Sequence, residues 1–362
     1  MQNYLKVFFS VAIILLLPVY IMGLFLQPLS GDLTRIGGFA ENDFGWNDRQ
    51  PKIVIRDNNT LSPDIIVIGD SFSKRNIWQS IVMERTGLSI LSLRAPHPMK
   101  IGQFLIACKK HYPTVRYIIL ECVERGFISR FAREESPAIR KISLTPVIVQ
   151  ESTTLSQRNI TQTFQMPDAL YSAKSIINRY RKFGTKTCSN GAVVVPLNTS
   201  ELFSSKRSNS LLYYAEDDFK ANWSKVSMHA AVSKIKALNE MLEDEGITLI
   251  MMVIPDKSTA YQAFLENPQF SSLIPDIWAE LNMENIQQVD MKDMVTHAVS
   301  KYKDFYFPND THFGVHGYVL TGNCVAQKIL DLAQDPTIKK RPRHGSIDPL
   351  IFSPPVPPQS PH

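Results

Sequence analysis

Apolar and polar positions divide most of the chain into two kinds of segment. Short, mostly apolar runs predict strands covered on both faces of a parallel sheet, and they lie at Ile65–Ile68, Ser89–Leu93, Tyr117–Val123 and Ile247–Ile254. Segments with apolar residues at helical spacing predict amphipathic helices, and they lie at 73–87, Met99–Tyr112, Val226–Glu245, 258–266, 289–302 and Gly314–Ala333. Because the two kinds alternate, the pattern predicts an α/β fold with a mostly parallel central sheet.

A long apolar stretch lies near the N-terminus. Val7–Leu26 is 20 residues without a charge, which is the length of a helix that crosses a bilayer. We expect an uncleaved signal anchor with its N-terminus in the cytoplasm, because Lys6 and the amino group precede the stretch and acidic residues follow it. A cleaved signal peptide is the alternative, but no small-residue cleavage site follows the apolar core.

These patterns predict three parts of the chain. Residues 1–29 are the anchor, residues 30–335 form the α/β domain, and residues 336–362 form a basic, Pro-rich tail. The sequence of residues 30–63 predicts an irregular linker that packs on the domain. From about residue 126 to 225 the alternation is lost, which predicts an inserted, lid-like region.

Composition and charge limit the possible partners. With 44% hydrophobic and 20% charged residues, the chain has ample material for a core. The net charge of +5 is mild and no basic-aromatic module is visible, so we expect no nucleic acid partner. From Arg125 to Lys186 there are 11 Lys and Arg against 4 Asp and Glu, which fits either ordinary surface or a face towards an anionic glycan or lipid headgroups.

The cysteines indicate no metal site. Cys108, Cys122, Cys188 and Cys324 match no ligand spacing, and spacing leaves their disulfide state open.

Candidate chemistry starts where the first buried strand runs into Gly69-Asp70-Ser71. Ligands of open α/β sheets bind at the carboxyl ends of strands, so Ser71 is a candidate nucleophile. Asp310 and His312 lie two positions apart, in a predicted loop before the last helix. A histidine base activates a serine, and a carboxylate fixes the tautomer of that histidine. The sequence therefore predicts a triad of Ser71, His312 and Asp310.

Each triad residue has a simpler interpretation. Ser71 fits an ordinary turn serine at a helix N-cap, and Asp70 is expected to cap the same turn. Asp310 and His312 with His316 fit three ligands of a metal ion, but no fourth ligand is evident. We expect no metal and no cofactor.

Four sequence motifs carry a family resemblance. They are Gly69-Asp70-Ser71-Phe72-Ser73, Glu121-Cys122-Val123-Glu124-Arg125, Ile254-Pro255-Asp256-Lys257 and Asp310-Thr311-His312-Phe313. Together they resemble the SGNH (GDSL-type) hydrolase superfamily and, within it, the AlgJ/AlgX type of polysaccharide O-acetyltransferase. The acid–base pair follows the serine here, whereas it precedes the serine in the alginate proteins.

The resemblance implies an SGNH-like three-layer domain that transfers acetyl groups to exopolysaccharide hydroxyls through an acyl-serine. It also implies a polysaccharide acceptor and a multi-span membrane acyltransferase (MBOAT-type) that supplies the acetyl groups. The expected location is the bacterial inner membrane, with a single span and the catalytic domain in the periplasm. The alternatives are a periplasmic carbohydrate acetylesterase and a catalytically silent glycan-binding scaffold of a polysaccharide export complex.

Further residues near the predicted rim of the sheet are candidate oxyanion or substrate contacts: Arg94, Glu124, Arg125, Lys257 and Trp78. Each has a structural alternative. Glu124 and Arg125 fit a salt bridge with each other, Lys257 fits a pair with Asp256, and Trp78 fits a core position. We expect the oxyanion to lie against backbone N–H groups near Ser71, with a further donor from the 93–97 loop.

Overall fold

A computed structural model of the protein describes residues 2–24, 31–58, 60–94, 101–132, 144–147, 152–153, 177–178, 186–267 and 276–335. The strands are β1 Val54–Ile55, β2 Ile65–Gly69, β3 Ile90–Arg94, β4 Tyr117–Val123, β5 Ser152–Thr153, β6 Thr187–Ser189, β7 Ala192–Pro196, β8 Ser210–Tyr214 and β9 Thr248–Ile254.

The helices run from the N-terminus to residue 334. They are α1 Gln2–Leu24, α2 Asp32–Gly37, α3 Glu41–Phe44, α4 Ile77–Thr86, α5 Ile101–His111, α6 Phe127–Phe131, α7 Lys225–Asp244, α8 Lys257–Ala260, α9 Ile277–Met283, α10 Met291–Ala298 and α11 Val315–Gln334. Short 3-10 helices span Glu124–Gly126, Ala215–Asn222 and Gln262–Phe264.

The central sheet has the strand order β3-β2-β4-β9, and every pairing in it is parallel. Alternate residues of its strands face two separate hydrophobic clusters. One cluster contains Val67 and Ile250 with side chains of α4, α10 and α11. The other contains Ile66 and Met251 with side chains of α5, α6 and α7. The sheet therefore lies between two helical layers, which confirms the predicted α/β fold with a parallel sheet.

The parallel pairing decides where the site forms. Because β2, β4 and β9 are parallel neighbours, their carboxyl ends lie at one edge of the sheet. That edge carries the turn after β2, the 3-10 helix after β4 and helix α8 after β9.

A second sheet lies within the predicted insertion. Strands β6, β7 and β8 pair antiparallel. Val193 and Tyr213 of this sheet belong to the same hydrophobic cluster as α4 and α11, whereas Val194 and Leu212 pack with Leu33. This sheet thus shares the core of the domain. The predicted domain boundaries stay predictions, and most of the basic stretch from 125 to 186 lies outside the described residues.

Helix α1 covers most of the predicted anchor. Within the described part of the chain, no helix is long and apolar enough to cross a membrane. The anchor at residues 7–26 stays a prediction.

The next segment, residues 31–44, was expected to be irregular. It forms α2 and α3, and it buries Leu33, Phe39 and Phe44 against the second sheet. The cysteines are all free thiols, and Cys108 and Cys122 are buried in the core.

Candidate active site

Ser71 lies in a tight turn, residues 69–73, between β2 and α4. The turn delays the helix, which begins at Ile77 rather than at residue 73 as the pattern predicted. Gly69 is required by a close approach, because a Cβ there would lie 2.3 Å from Glu121 Oε2. Ser71 is partly exposed, and its backbone N–H makes no hydrogen bond to another described residue.

Two carboxyl groups hold this turn. Asp70 accepts hydrogen bonds from the backbone N–H of Phe72 at 3.1 Å and of Val123 at 2.9 Å. Asp70 is thus a structural residue of the turn. Glu121 Oε2 accepts from the N–H of Asp70 and from Ser73 Oγ, both at 2.8 Å. Burial raises the pKa of Glu121 well above its ordinary value, and the neighbouring Asp70 raises it further.

Asp310 and His312 lie in a second turn, the 307–312 loop, which precedes α11. The N–H of Phe307 donates to the carbonyl of His312 at 3.0 Å, which closes the loop. Asp310 Oδ1 accepts from the backbone N–H of His312 at 2.9 Å. A carboxylate two residues before a histidine can therefore accept hydrogen bonds from both the backbone N–H and the ring of that histidine.

The structure brings the three predicted triad residues together. His312 Nε2 lies 2.7 Å from Ser71 Oγ, and His312 Nδ1 lies 2.6 Å from Asp310 Oδ1. Burial acts to raise the pKa of Asp310, but the hydrogen bonds and charge of His312 outweigh it and lower that pKa to about 2. Asp310 is therefore a carboxylate at neutral pH, and Nδ1–H is the tautomer that it favours.

Lys257 lies behind the 307–312 loop and is 2% exposed. Its Nζ donates to the backbone carbonyls of Phe307 at 2.9 Å, Pro308 at 3.3 Å and Asp310 at 3.1 Å. Burial lowers the pKa of Lys257 to about 7, against the charges of Asp32 and Asp310, which raise it. The predicted roles as a substrate contact or as the partner of Asp256 are both wrong, because Nζ is buried and all its hydrogen bonds go to these three backbone carbonyls.

The predicted salt bridge between Glu124 and Arg125 is also wrong. Glu124 pairs with Lys220 at 2.9 Å, and Arg125 Nη1 pairs with Asp256 at 2.6 Å. Arg125 also contacts Asp217 at 3.3 Å. Both side chains are therefore engaged in this largely buried cluster, and their role as oxyanion or substrate contacts stays a prediction.

The remaining candidate contacts, Trp78 and Arg94, differ in position. Trp78 is 1% exposed and lies in the hydrophobic core, which excludes stacking on a sugar. Arg94 is exposed at the end of β3, and its backbone N–H donates to the carbonyl of Thr145 at 3.0 Å. The loop that follows it, residues 95–100, lies outside the described residues, so its predicted oxyanion donor stays a prediction.

Sequence reasoning missed Asp32. Its Oδ2 lies 3.7 Å from His312 Nδ1, and its backbone N–H donates to Asp310 Oδ2 at 3.2 Å. The sequence signal for this contact is Gly31, which allows a close approach to another segment. Glycine is also common in irregular linkers, so Gly31 alone did not indicate a contact.

The metal alternative with His316 is not assembled. The ring of His316 stacks on Tyr302 with centroids 4.9 Å apart. Among the described residues, single ligand atoms of Asp32, Asp310 and His312 do lie within 4.8 Å of one another. The hydrogen bond between Asp310 and His312, together with those that join Asp32 to Asp310 and Thr311, already explains that grouping.

Comparison with known proteins gives one family. Residues 209–346 match the family model of the SGNH hydrolase-like domain of the acetyltransferase AlgX. This segment contains Asp310 and His312, whereas Ser71 lies before it. A search of curated proteins and of solved structures found no match. The family suggests an acyltransferase or an esterase. Over residues 209–346, the chain is similar to the AlgX-like SGNH hydrolase family.

Proposed function

We propose that the protein is an O-acetyltransferase that moves acetyl groups onto hydroxyls of an exopolysaccharide through an acyl-Ser71 intermediate. The observation that carries the proposal is the hydrogen-bonded series from Ser71 Oγ through both ring nitrogens of His312 to Asp310 Oδ1. A nucleophile in contact with a base, and the base in contact with an orienting carboxylate, is the arrangement of nucleophilic acyl transfer.

In the first half-reaction, Ser71 Oγ attacks the carbonyl carbon of an acetyl ester or thioester and His312 Nε2 takes the serine proton. His312 then donates that proton to the leaving alcohol or thiol as the bond between the leaving group and the acetyl carbon breaks. Asp310 stabilises the imidazolium between these steps. The N–H of Ser71, which donates to no other described residue, can stabilise the oxyanion, and a second donor from residues 93–97 remains part of the proposal.

In the second half-reaction, His312 takes the proton of a sugar hydroxyl, which attacks the acetyl carbon and releases Ser71. If water attacks instead, the protein is a carbohydrate acetylesterase. The family match to the domain of an acetyltransferase favours transfer. The contact between Ser71 and His312 favours an enzyme over a silent glycan-binding scaffold, which needs no aligned base.

The proposal extends to partners and location. The donor of acetyl groups is a multi-span membrane acyltransferase, and the acceptor is a polysaccharide. The chain is anchored in the inner membrane by residues 7–26, with the catalytic domain in the periplasm. These parts rest on the uncharged N-terminal sequence and on the resemblance to the AlgJ/AlgX type.

The test is acyl-enzyme formation. Incubation with a chromogenic acetyl ester should give a burst of product and a protein heavier by one acetyl group on Ser71. Ser71→Ala and His312→Ala should each lower turnover by at least about 10³-fold, and Asp310→Asn should cost less, as in other triads. The matched control is Ser233→Ala, because Ser233 is exposed on α7 and far along the chain from the site.

If Ser71→Ala keeps near-normal turnover while Ser233→Ala also does, the assignment is wrong. Transfer and hydrolysis are then separated by adding an oligosaccharide acceptor. An acetylated oligosaccharide indicates a transferase, whereas free acetate at an unchanged rate indicates an esterase.

A further inference from the structure

We propose that Asp32 is a positioning residue for His312, so that the base of the triad is held by two carboxylates supplied from opposite ends of the chain. This inference rests on the proposed function. Asp32 begins α2, 278 residues before Asp310. Its side chain reaches the Nδ1 side of the imidazole, whereas Ser71 lies at Nε2.

The contacts between Asp32 and the 307–312 loop are reciprocal. The backbone N–H of Asp32 donates to Asp310 Oδ2 at 3.2 Å. In return, Asp32 Oδ1 accepts from the N–H of Thr311 at 2.8 Å, and Asp32 Oδ2 accepts from Thr311 Oγ1. One residue thus orients both the acid of the triad and the residue between acid and base.

The surrounding segment fixes Asp32 in this place. The N–H groups of Leu33 and Thr34 donate to the carbonyl of Asn309 at 3.1 and 3.3 Å. Glu41 binds both sides of the contact, accepting from Thr34 Oγ1 at 2.7 Å and from Asn309 Nδ2. At Gly31 a Cβ would lie 2.0 Å from the carbonyl oxygen of Asn309, so a side chain there would push the segment away from the loop.

The charge of Asp32 gives it a role beyond geometry. When His312 takes the proton of Ser71, the imidazolium faces Asp310 at 2.6 Å and Asp32 at 3.7 Å. Lys257 also lies on this side, and its Nζ donates to the carbonyl of Asp310. Burial raises the pKa of Asp32 and so does the charge of Asp310, whereas the hydrogen bonds from Thr311 and the charge of His312 lower it. A protonated His312 therefore relieves the repulsion between the two carboxylates.

The experiment compares Asp32→Asn with the matched control Asp43→Asn in the full chain. Asparagine keeps an oxygen that accepts from Thr311 but loses the charge. We expect Asp32→Asn to lower kcat for a neutral acetyl ester about tenfold with little change in KM, because the interaction strengthens only when the ring is charged. The acid side of its pH–rate profile should move to lower pH, since the imidazolium loses an anionic neighbour. Asp43 pairs with Arg207 at 3.5 Å, and its substitution should change neither quantity.

A second variant keeps the test decisive if Asp32→Asn does not fold. Thr311→Val removes the hydroxyl that holds Asp32 Oδ2 and that lowers the pKa of Asp32. Without this hydrogen bond the Asp32 carboxylate is held less firmly beside the His312 ring, so kcat should fall several-fold and the acid side of the profile should move to lower pH, as in Asp32→Asn.

A wild-type kcat and pH profile in Asp32→Asn, or in Thr311→Val where the first does not fold, overturns the proposal. A lower kcat without a shift also overturns it, because that result leaves only a structural role. Failure of the underlying function is a separate outcome, since it appears as activity in Ser71→Ala.

Discussion

At the scale of the residue, Glu121 shows how burial sets the state of a side chain beside the nucleophile. It is fully buried, and burial followed by the Asp70 charge raises its pKa well above the ordinary value. Both effects favour the neutral carboxyl in the folded protein, which can accept from the N–H of Asp70 and from Ser73 Oγ and still carry a proton.

The prediction is that Glu121→Gln is well tolerated and becomes relatively more stable as pH rises. An acid with a raised folded pKa loses stability above its unfolded pKa, about 4.3 for Glu, because the unfolded chain releases the proton first. Glutamine does not titrate, so the variant does not lose stability in this way. The melting temperature of Glu121→Gln minus that of wild type should therefore increase from pH 5 to pH 8. A constant difference would mean that Glu121 is ionised in the folded protein. Glu121→Ala, which removes both hydrogen bonds of the turn, should lower kcat and stability at every pH.

At the residue scale, sequence reasoning succeeded where the catalytic residues lie in short local motifs. Ser71 follows a buried strand, and Asp310 is two residues from His312, so both motifs are visible in the sequence alone. It failed for Lys257, and it left Trp78 open between a substrate contact and a core position, because the same side chains serve equally well at a surface or in a core. Only the tertiary structure decides which of these environments surrounds them.

At the scale of the element, the ends of β4 and β9 are joined to the inserted region by a buried charge cluster. Lys220 from the 3-10 helix Ala215–Asn222 pairs with Glu124 at 2.9 Å and with Asp256 at 3.0 Å. Arg125 contacts Asp256 and Asp217. Burial raises the pKa of Asp217 to about 8, and the charge of Asp256 adds to the increase. With Asp217 neutral at pH 7, the negative charges of Glu124 and Asp256 balance the positive charges of Lys220 and Arg125.

Lys220→Met should be strongly destabilising, by about 3–5 kcal/mol, because it leaves Glu124 and Asp256 with one buried cation between them. The matched control is Lys236→Met, since Lys236 pairs with Glu284 at 2.8 Å on the surface. Its unfolding midpoint in urea should stay close to that of wild type. Adding Glu124→Gln to Lys220→Met should recover part of the lost stability. Equal midpoints for the two lysine variants would contradict a buried role for Lys220.

The pattern of apolar positions predicted elements best where they are long and buried. Strand β4 was predicted with its observed bounds, and α7 and α11 differ from the prediction by one residue at each end. Helices α2 and α3 were missed because six and four residues are too few for a helical period to show. Their stability comes from contacts with the 307–312 loop and the second sheet, whose sequences lie far along the chain.

At the scale of the whole molecule, the segment that holds the triad lies directly after the predicted membrane anchor. Gly31 contacts Asn309, and four residues separate it from Leu26 at the end of the predicted span. A chain of that length reaches at most about 18 Å. If residues 7–26 cross the membrane, the 307–312 loop therefore lies close to its surface, which suits a donor that passes acetyl groups out of the bilayer.

This geometry predicts what a longer linker would do. A flexible Gly/Ser insertion of about 15 residues after Leu29 leaves the contacts of Gly31 and Asp32 intact, so hydrolysis of a small soluble acetyl ester should stay at the wild-type rate. Acetylation of the polysaccharide in cells should fall several-fold, because the linker lowers the effective concentration of Ser71 at a membrane-bound donor. The control is an insertion of the same sequence after Asp335, beyond α11, which should change neither activity. Both proteins should fractionate with inner membranes, as wild type is expected to do. Unchanged acetylation in the Leu29 variant would mean that the donor reaches Ser71 from solution, and recovery of wild type in the soluble fraction would contradict the anchor itself.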